Sequence, residues 1–455
     1  MKQTKSAKEK FRQLLLILVP ILVTQIAMSS IGFFDIMMTG KYSPVHLAGV
    51  AVGSSIWMPV FTGLSGILLS VTPIVAHLIG AGQRRDVRVS VMQGIYAGAA
   101  MALLIIGIGA LLLDPLLNAM HLEPEVRRVA KLYLLSLSFG MIPLFVYNVL
   151  RSFIDALGKT RVTMMVTLMS LPINVLFNYL FIFGAFGFPE WGGIGAGIAS
   201  AITYWLITLI AVLIIHRTKP FLDFKVFAGF QRVSFEKWKE IFILGVPIGL
   251  AIFFETSIFS AVTLFMSNFG TNIIAAHQSA LNFSSMLYMI PLSISMALTI
   301  LVGFETGAKR LADARSYSYL GIGTAVALSS FLGLMLLIFR SNIATLYSDE
   351  QGVVDLIARF LLYAVFFQLS DAVLAPIQGT LRGYKDVNVT FLMALLSFWI
   401  IGLPLGYALA HHTDMGPYGY WLGLITGLAV GAVALAFRLS IVQRRMINKL
   451  EKEQA

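Results

Sequence analysis

The 455-residue sequence contains no cysteine. Disulfides, thiolate nucleophiles and cysteine-based metal sites are thereby excluded. Charge is also scarce. Asp, Glu, Lys and Arg make up 12% of the residues, about half of what a soluble domain carries. Hydrophobic side chains make up 58%, and the mean hydropathy is +0.84. An ordinary soluble globule is excluded on these grounds. No HxxxH, GxSxG, Walker or GxGxxG pattern stands in the context its chemistry requires, so neither ATP hydrolysis nor nucleophilic catalysis is supported. The chain is expected not to be an enzyme and to need no cofactor, drawing its energy from an ion gradient or a partner. Short alternating segments of the kind a membrane barrel needs are missing too, which leaves helices as the spanning structure.

What is present is a succession of apolar runs, each long enough at about 1.5 Å per residue to cross the hydrocarbon core. The first half reads as spans at Leu14 to Met37, Leu47 to Leu78, Val91 to Leu113, Leu132 to Leu150, Thr163 to Phe183 and Ala196 to Ile215. The second reads as Ile241 to Met266, Ile273 to Val302, Leu320 to Phe339, Val353 to Ile377, Val389 to Leu409 and Trp421 to Phe437. The N-terminal MKQTKSAKEKFR leads into an apolar stretch too long for a signal-peptide core, and no small-residue cleavage site ends it, so it is expected to be retained. The net charge of +11 is explained by orientation rather than by nucleic acid. With both termini cytoplasmic, 27 of the 33 Lys and Arg fall in inner segments, and only Lys41, Arg127, Arg128, Lys131, Arg340 and Arg359 face outward. The expected location is the cytoplasmic (inner) membrane, multi-pass, as a monomer in contact with membrane lipid.

One internal offset recurs without gaps. A shift of 227 residues lays Pro20 on Pro247, Gly80-Ala81 on Gly307-Ala308, Asp86 on Asp313, Arg88 on Arg315 and Val162-Thr163 on Val389-Thr390. A shift of 224 superposes Gly192, Gly195 and Ala199 on Gly416, Gly419 and Gly423. Each half is therefore one six-helix unit: residues 1–216 and 241–455, joined by a cytoplasmic linker at 217–240 lying partly on the membrane surface. An even number of spans gives both copies the same orientation, so the repeats are parallel. The expected fold is an all-α integral membrane protein of twelve transmembrane helices, two six-helix bundles around a central cleft.

Three acids fall well inside apolar runs: Asp35, Glu255 and Asp371. A carboxylate at bilayer depth costs about 3 kcal/mol on insertion scales, which makes each a functional candidate. The runs as bounded above contain no deep Lys or Arg to neutralise them. By helical rise, Glu255 lies roughly 21 Å along an outward-running helix and Asp371 roughly 27 Å along an inward-running one, so the two share a level near the middle. Asp35 lies about 32 Å along the first helix. Asn174 and Asn178, spaced i, i+4, project from one face of the fifth span. With Asp35 and the hydroxyl of Ser200 they would form an oxygen cage of the kind hard cations prefer, and a proton would serve the carboxylate equally. Gln25, Gln278, Asn282, Tyr288 and His277 are weaker candidates for cavity lining, as apt to bridge helices.

These residues together resemble the MATE (multidrug and toxic compound extrusion) family, and within it the bacterial NorM type. The resemblance spans essentially the whole chain. It rests on the 6+6 layout, on FFDIMMTG with Asp35, LPINVLFNY with Asn174 and Asn178, FFETSIF with Glu255, and LSDAVLAP with Asp371. It implies efflux of drugs, typically organic cations, by sodium or proton antiport. It further implies that Glu255 and Asp371 form the cation site of the second half, with Asp35, Asn174 and Asn178 as the first-half counterpart. The family often has Thr where this chain has Ser200, so the hydroxyl persists without the methyl. Pro20 resembles the family's bending point in the first helix, and proline removes an intrahelical bond there.

The expected mechanism is alternating access. Two rivals are a flippase for a lipid-linked saccharide, which would call for deep basic residues, and an ion channel, which would call for filter-like rings.

Overall fold

Each apolar run is helical in the computed structural model, which describes residues 3–454. In the first half the helices are α1 (Ala7–Tyr42), α2 (Pro44–Leu68), α3 (Val71–Gly80), α4 (Arg84–Ala119), α5 (Pro124–Ser138), α6 (Met141–Ala156), α7 (Thr160–Phe183) and α8 (Gly193–Arg217). The second half has α9 (Phe235–Met266), α10 (Thr271–Gly307), α11 (Leu311–Ala344) and α12 (Gln351–Gly383). It continues with α13 (Asn388–Ala394), a π-helical segment Leu395–Gly402, α14 (Leu403–His412) and α15 (Tyr418–Gln454). Eleven spans are long and apolar enough to cross a membrane, and twelve when α5 and α6, which meet at a 50° bend, count as one. No strand occurs among the described residues. The all-α, twelve-span reading holds.

Local chemistry sets the breaks. Ser43 caps α2, accepting from the His46 N–H, and Pro44 occupies the first turn, where a missing N–H costs nothing. Gly184, at φ 67°, closes α7 in the left-handed conformation that glycine adopts without strain. The bend between α5 and α6 was not expected, although Pro143 in the first turn of α6 has no N–H to give to the Phe139 carbonyl four residues back. Packing adds to it. Gly140 sits so close to α8 that a Cβ there would lie 2.7 Å from Ala201 Cα.

The chain groups into two compact units, Pro20–Val246 and Lys2–Val19 with Pro247–Ala455. Both boundaries fall inside a helix at a proline, Pro20 in α1 and Pro247 in α9, the pair superposed by the 227-residue offset. The start of α1 belongs to the second unit because Lys10 pairs with Asp313 at 2.7 Å and Tyr317 hydrogen bonds both Thr4 and Gln13. The 217–240 segment packs on the first unit. Gln93 donates to the Arg232 carbonyl and accepts from the Ser234 N–H, and Phe221 and Phe224 meet Phe153 edge-on. Packing thus divides the chain at other points than the 217 and 240 at which the repeat was parsed.

Within the first unit, Trp57, Phe145, Phe153 and Leu150 lie in one buried core that joins α2, α3, α4, α6 and α8. Within the second, α10 and α12 pack closest. A Cβ at Gly379 would meet the Ser295 carbonyl at 2.1 Å. The π-helical segment lies against Gly423, Gly427 and Gly431 of α15. Small residues allow such approach where lipid supplies no hydrophobic drive between helices.

Candidate ion-binding sites

In the first unit, α1 presents Asp35, α7 presents Asn174 and Asn178 from one face, and α8 presents Ser200. Asn178 Nδ2 donates to Asp35 Oδ1 at 2.5 Å and to Asn174 Oδ1 at 3.0 Å. The Ser200 hydroxyl donates to Asp35 Oδ2 at 3.4 Å. All four residues predicted for this site are therefore brought together. Tyr133 and Tyr204, which sequence reasoning did not single out, lie close enough to feel the Asp35 charge. Asn174 and Asn178 are fully buried, yet Asn178 Oδ1 and Asn174 Nδ2 have no partner. Two carboxylate oxygens, one amide oxygen and one hydroxyl converge, and a half-turn of the Asn178 amide would add a fifth oxygen. This donor set fits a hard monovalent cation.

In the second unit, Glu255 of α9 is half-buried and accepts from Gln378 Nε2 at 2.5 Å. Asp371 of α12 is buried and accepts no hydrogen bond among the described residues. The two carboxylates interact electrostatically with each other and with Tyr288 of α10. Gln378 was missed in the sequence because it falls one residue beyond the expected end of its span. Its spacing of seven residues from Asp371 places it on the same helical face, and that periodicity was the available signal.

The expectation that no Arg lies deep in a span needs correction. α6 and α12 run past the apolar stretches that define them, and Arg151 and Arg382, assigned to inner loops, are buried inside these helices. Neither forms an ion pair with a candidate acid, although the Arg382 charge reaches Glu255. Arg151 Nε stands 3.5 Å from Asp155, and its terminal nitrogens reach Gln25 and Met28. Arg382 donates to Ser295 Oγ at 2.7 Å. No ion pair joins Asp35, Glu255 or Asp371 to a Lys or Arg among the described residues.

The weaker candidates divide. Gln278 donates to Thr263 at 3.1 Å and Asn282 accepts from Tyr347 at 3.0 Å, both on exposed parts of α10. His277 is fully buried, receives the Trp421 indole N–H on Nδ1 and meets Thr263 through Nε2, so it ties α10 to α15 and α9. Helix α1 continues through Pro20, whose carbonyl accepts from the Thr24 hydroxyl at 2.8 Å.

A model of the MatE family matches residues 20–180 and again residues 247–408. The chain belongs to the MatE family. The two MatE matches begin at Pro20 and Pro247, the same pair that the internal offset superposes and at which the compact units divide. The chain is 55% identical to the probable multidrug resistance protein NorM of Bacillus subtilis (strain 168), covering 99% of both chains. It is 56% identical to the protein of the same name from Halalkalibacterium halodurans, covering 98% of this chain and 97% of the relative. Within the family it is of the bacterial NorM type. Solved MATE structures share the fold. A eukaryotic MATE transporter superposes with a TM-score of 0.83 at 22% identity, covering 97% of this chain and 99% of that one. A Vibrio cholerae MATE transporter in its bent form superposes at 0.85 and 19%, covering 96% and 98%.

Proposed function

We propose that this chain is a multidrug efflux transporter of the cytoplasmic membrane that exports organic, mainly cationic compounds in exchange for sodium ions or protons. Near-full-length identity to proteins named for multidrug resistance supports the efflux reading, and a transporter family leaves no place for an enzymatic one. The observation that carries the exchange is the state of the acids. Asp35, Glu255 and Asp371 sit in membrane-spanning helices and none is in an ion pair among the described residues; Asp35 and Asp371 have only neutral partners or none, and Glu255 feels Arg382 from a distance, so a visiting cation supplies the missing charge.

Each unit then offers its own acidic centre. Ion and drug each favour a different conformational state, so that binding of one promotes release of the other to the opposite side of the membrane. A proton satisfies such a carboxylate by neutralising it. A metal ion does so by gathering the neighbouring oxygens as well. Of the two buried arginines, Arg151 pairs with Asp155 and Arg382 lies in the field of Glu255, so an anionic lipid cargo is not favoured.

Everted membrane vesicles test the assignment. Glu255→Gln and Asp371→Asn should each abolish gradient-driven ethidium transport while the protein remains folded and membrane-inserted. Full activity in both variants would refute it.

A further inference from the structure

One buried polar side chain of the second unit plays no part in any contact described above. Gln368 of α12 is 3% exposed, and neither Oε1 nor Nε2 of its amide has a hydrogen-bond partner. Leaving both ends of an amide unpaired in an apolar interior is costly, and sites that do so have a reason. Gln368 precedes Asp371 by three residues, so the two side chains project from one face of α12, within reach of a common ligand. Asp371 itself accepts no hydrogen bond among the described residues.

Among the described residues, Gln368 is the amide near Asp371 on α12 that no other contact engages. The neighbouring Phe367 ring is packed against Phe259 and Trp421, and the Ser370 hydroxyl is spent on the Phe366 carbonyl. Gln378, on the other side, is committed to Glu255. Two further buried hydroxyls without partners, Ser284 of α10 and Ser329 of α11, come to the level of Gln368. His277 meets Phe360, so Ser284, seven residues on along α10, matches Phe367–Gln368, seven to eight residues on along α12. Gly333 meets Val365 across the α11–α12 hairpin, so Ser329, a turn earlier on α11, matches Gln368–Leu369, a turn later on α12.

We propose that Gln368 is a cation ligand: its amide oxygen, with the Asp371 carboxylate, coordinates a monovalent metal ion, and on binding its amide nitrogen turns to the hydroxyls at the same level, which it does not reach in this structure. A proton carried by Asp371 needs no neutral oxygen beside it, whereas a sodium ion binds through several oxygens at once. The donor set thus selects sodium over the proton at this acid. This inference rests on the reading of Asp371 as an exchange site.

The test is thermal unfolding of the purified full-length protein in detergent, with sodium chloride titrated against choline chloride at constant ionic strength and pH. An Asp35→Asn background silences the first-unit site. Binding to the folded state alone raises the unfolding temperature with sodium concentration. Gln368→Met should need at least tenfold more sodium for half-maximal stabilisation, Asp371→Asn should lose the response, and Gln368→Glu should respond at least as tightly as the parent. If Gln368→Met responds like the parent while Asp371→Asn does not, the ligand role of Gln368 is overturned and the exchange site stands. If Asp371→Asn also responds like the parent, the site reading falls and this inference with it. Should Gln368→Met not fold, Gln368→Glu decides, and a weaker sodium response in that variant overturns the proposal.

Discussion

Asn178 shows how a site in the membrane is assembled from residues that are unremarked one by one. Its side chain spends one N–H on Asp35 and the other on Asn174, so a single amide orders both neighbours. Replacing it by Leu, which keeps the branched shape but removes the donor, leaves Asp35 with Ser200 and Asn174. Asn178→Leu should therefore lower the apparent affinity for the coupling ion at least tenfold with little change in protein yield, read as the ion concentration that half-saturates ethidium efflux. An unchanged half-saturation would remove Asn178 from the site. This constellation was legible in the sequence, because acids and paired amides stand out in apolar helices and the i, i+4 spacing fixes a shared face. Gln378 and Gln368 were not legible in the same way. A lone glutamine in a membrane helix is as readily a helix-bridging residue, and only the geometry shows that one serves Glu255 and that the other has no protein partner. The arginines failed for a different reason. Apolarity marks where a span ends in lipid, not where its helix ends, and α6 and α12 continue into buried polar turns.

At the scale of elements, hydropathy located every span, while the irregularities within spans came from proline and from packing between neighbours. The α5–α6 bend combines Pro143 with the approach of Gly140 to α8, and the π-helical segment, followed by Pro404, is seated on the glycines of α15. Proline alone announces neither, since α1 continues through Pro20. The seat is demanding, since a Cβ at Gly427 would lie 2.2 Å from the Ser397 carbonyl oxygen. Gly427→Ala must push the π-helical segment away, and overpacking of this kind costs about 1–3 kcal/mol. Gly323 of α11, also in the second unit, has nothing within 4 Å of its Cβ position, so Gly323→Ala serves as the control. Thermal unfolding in detergent should show a lowered transition for the first variant and an unchanged or raised one for the second. Equal behaviour would mean that the segment does not depend on this contact. The position matters for function, because Trp399 of the same segment donates its indole N–H to the carbonyl of Phe254, the residue before Glu255.

For the whole molecule, the 227-residue repeat is more reliable for architecture than for chemistry. Pro20 and Pro247 mark the family matches and the packing boundaries alike. The acids do not follow the repeat. Asp35 stands level with Val262 in the second copy, and Glu255 and Asp371 stand level with Met28 and Leu144 in the first. Duplication supplied two similar frames, and each frame then acquired a different set of polar residues. Exchange by unpaired carboxylates is the claim on which the functional account depends. It is tested most directly in proteoliposomes loaded with ethidium, where an imposed inward sodium gradient and an imposed pH gradient are applied in turn and the flux of radiolabelled sodium is followed alongside that of the dye. The account predicts that an inward cation gradient drives ethidium out with a matching countermovement of the ion, and that Glu255→Gln and Asp371→Asn abolish both fluxes together. Ethidium efflux that persists after both gradients are collapsed, or that proceeds without cation countermovement, would contradict it.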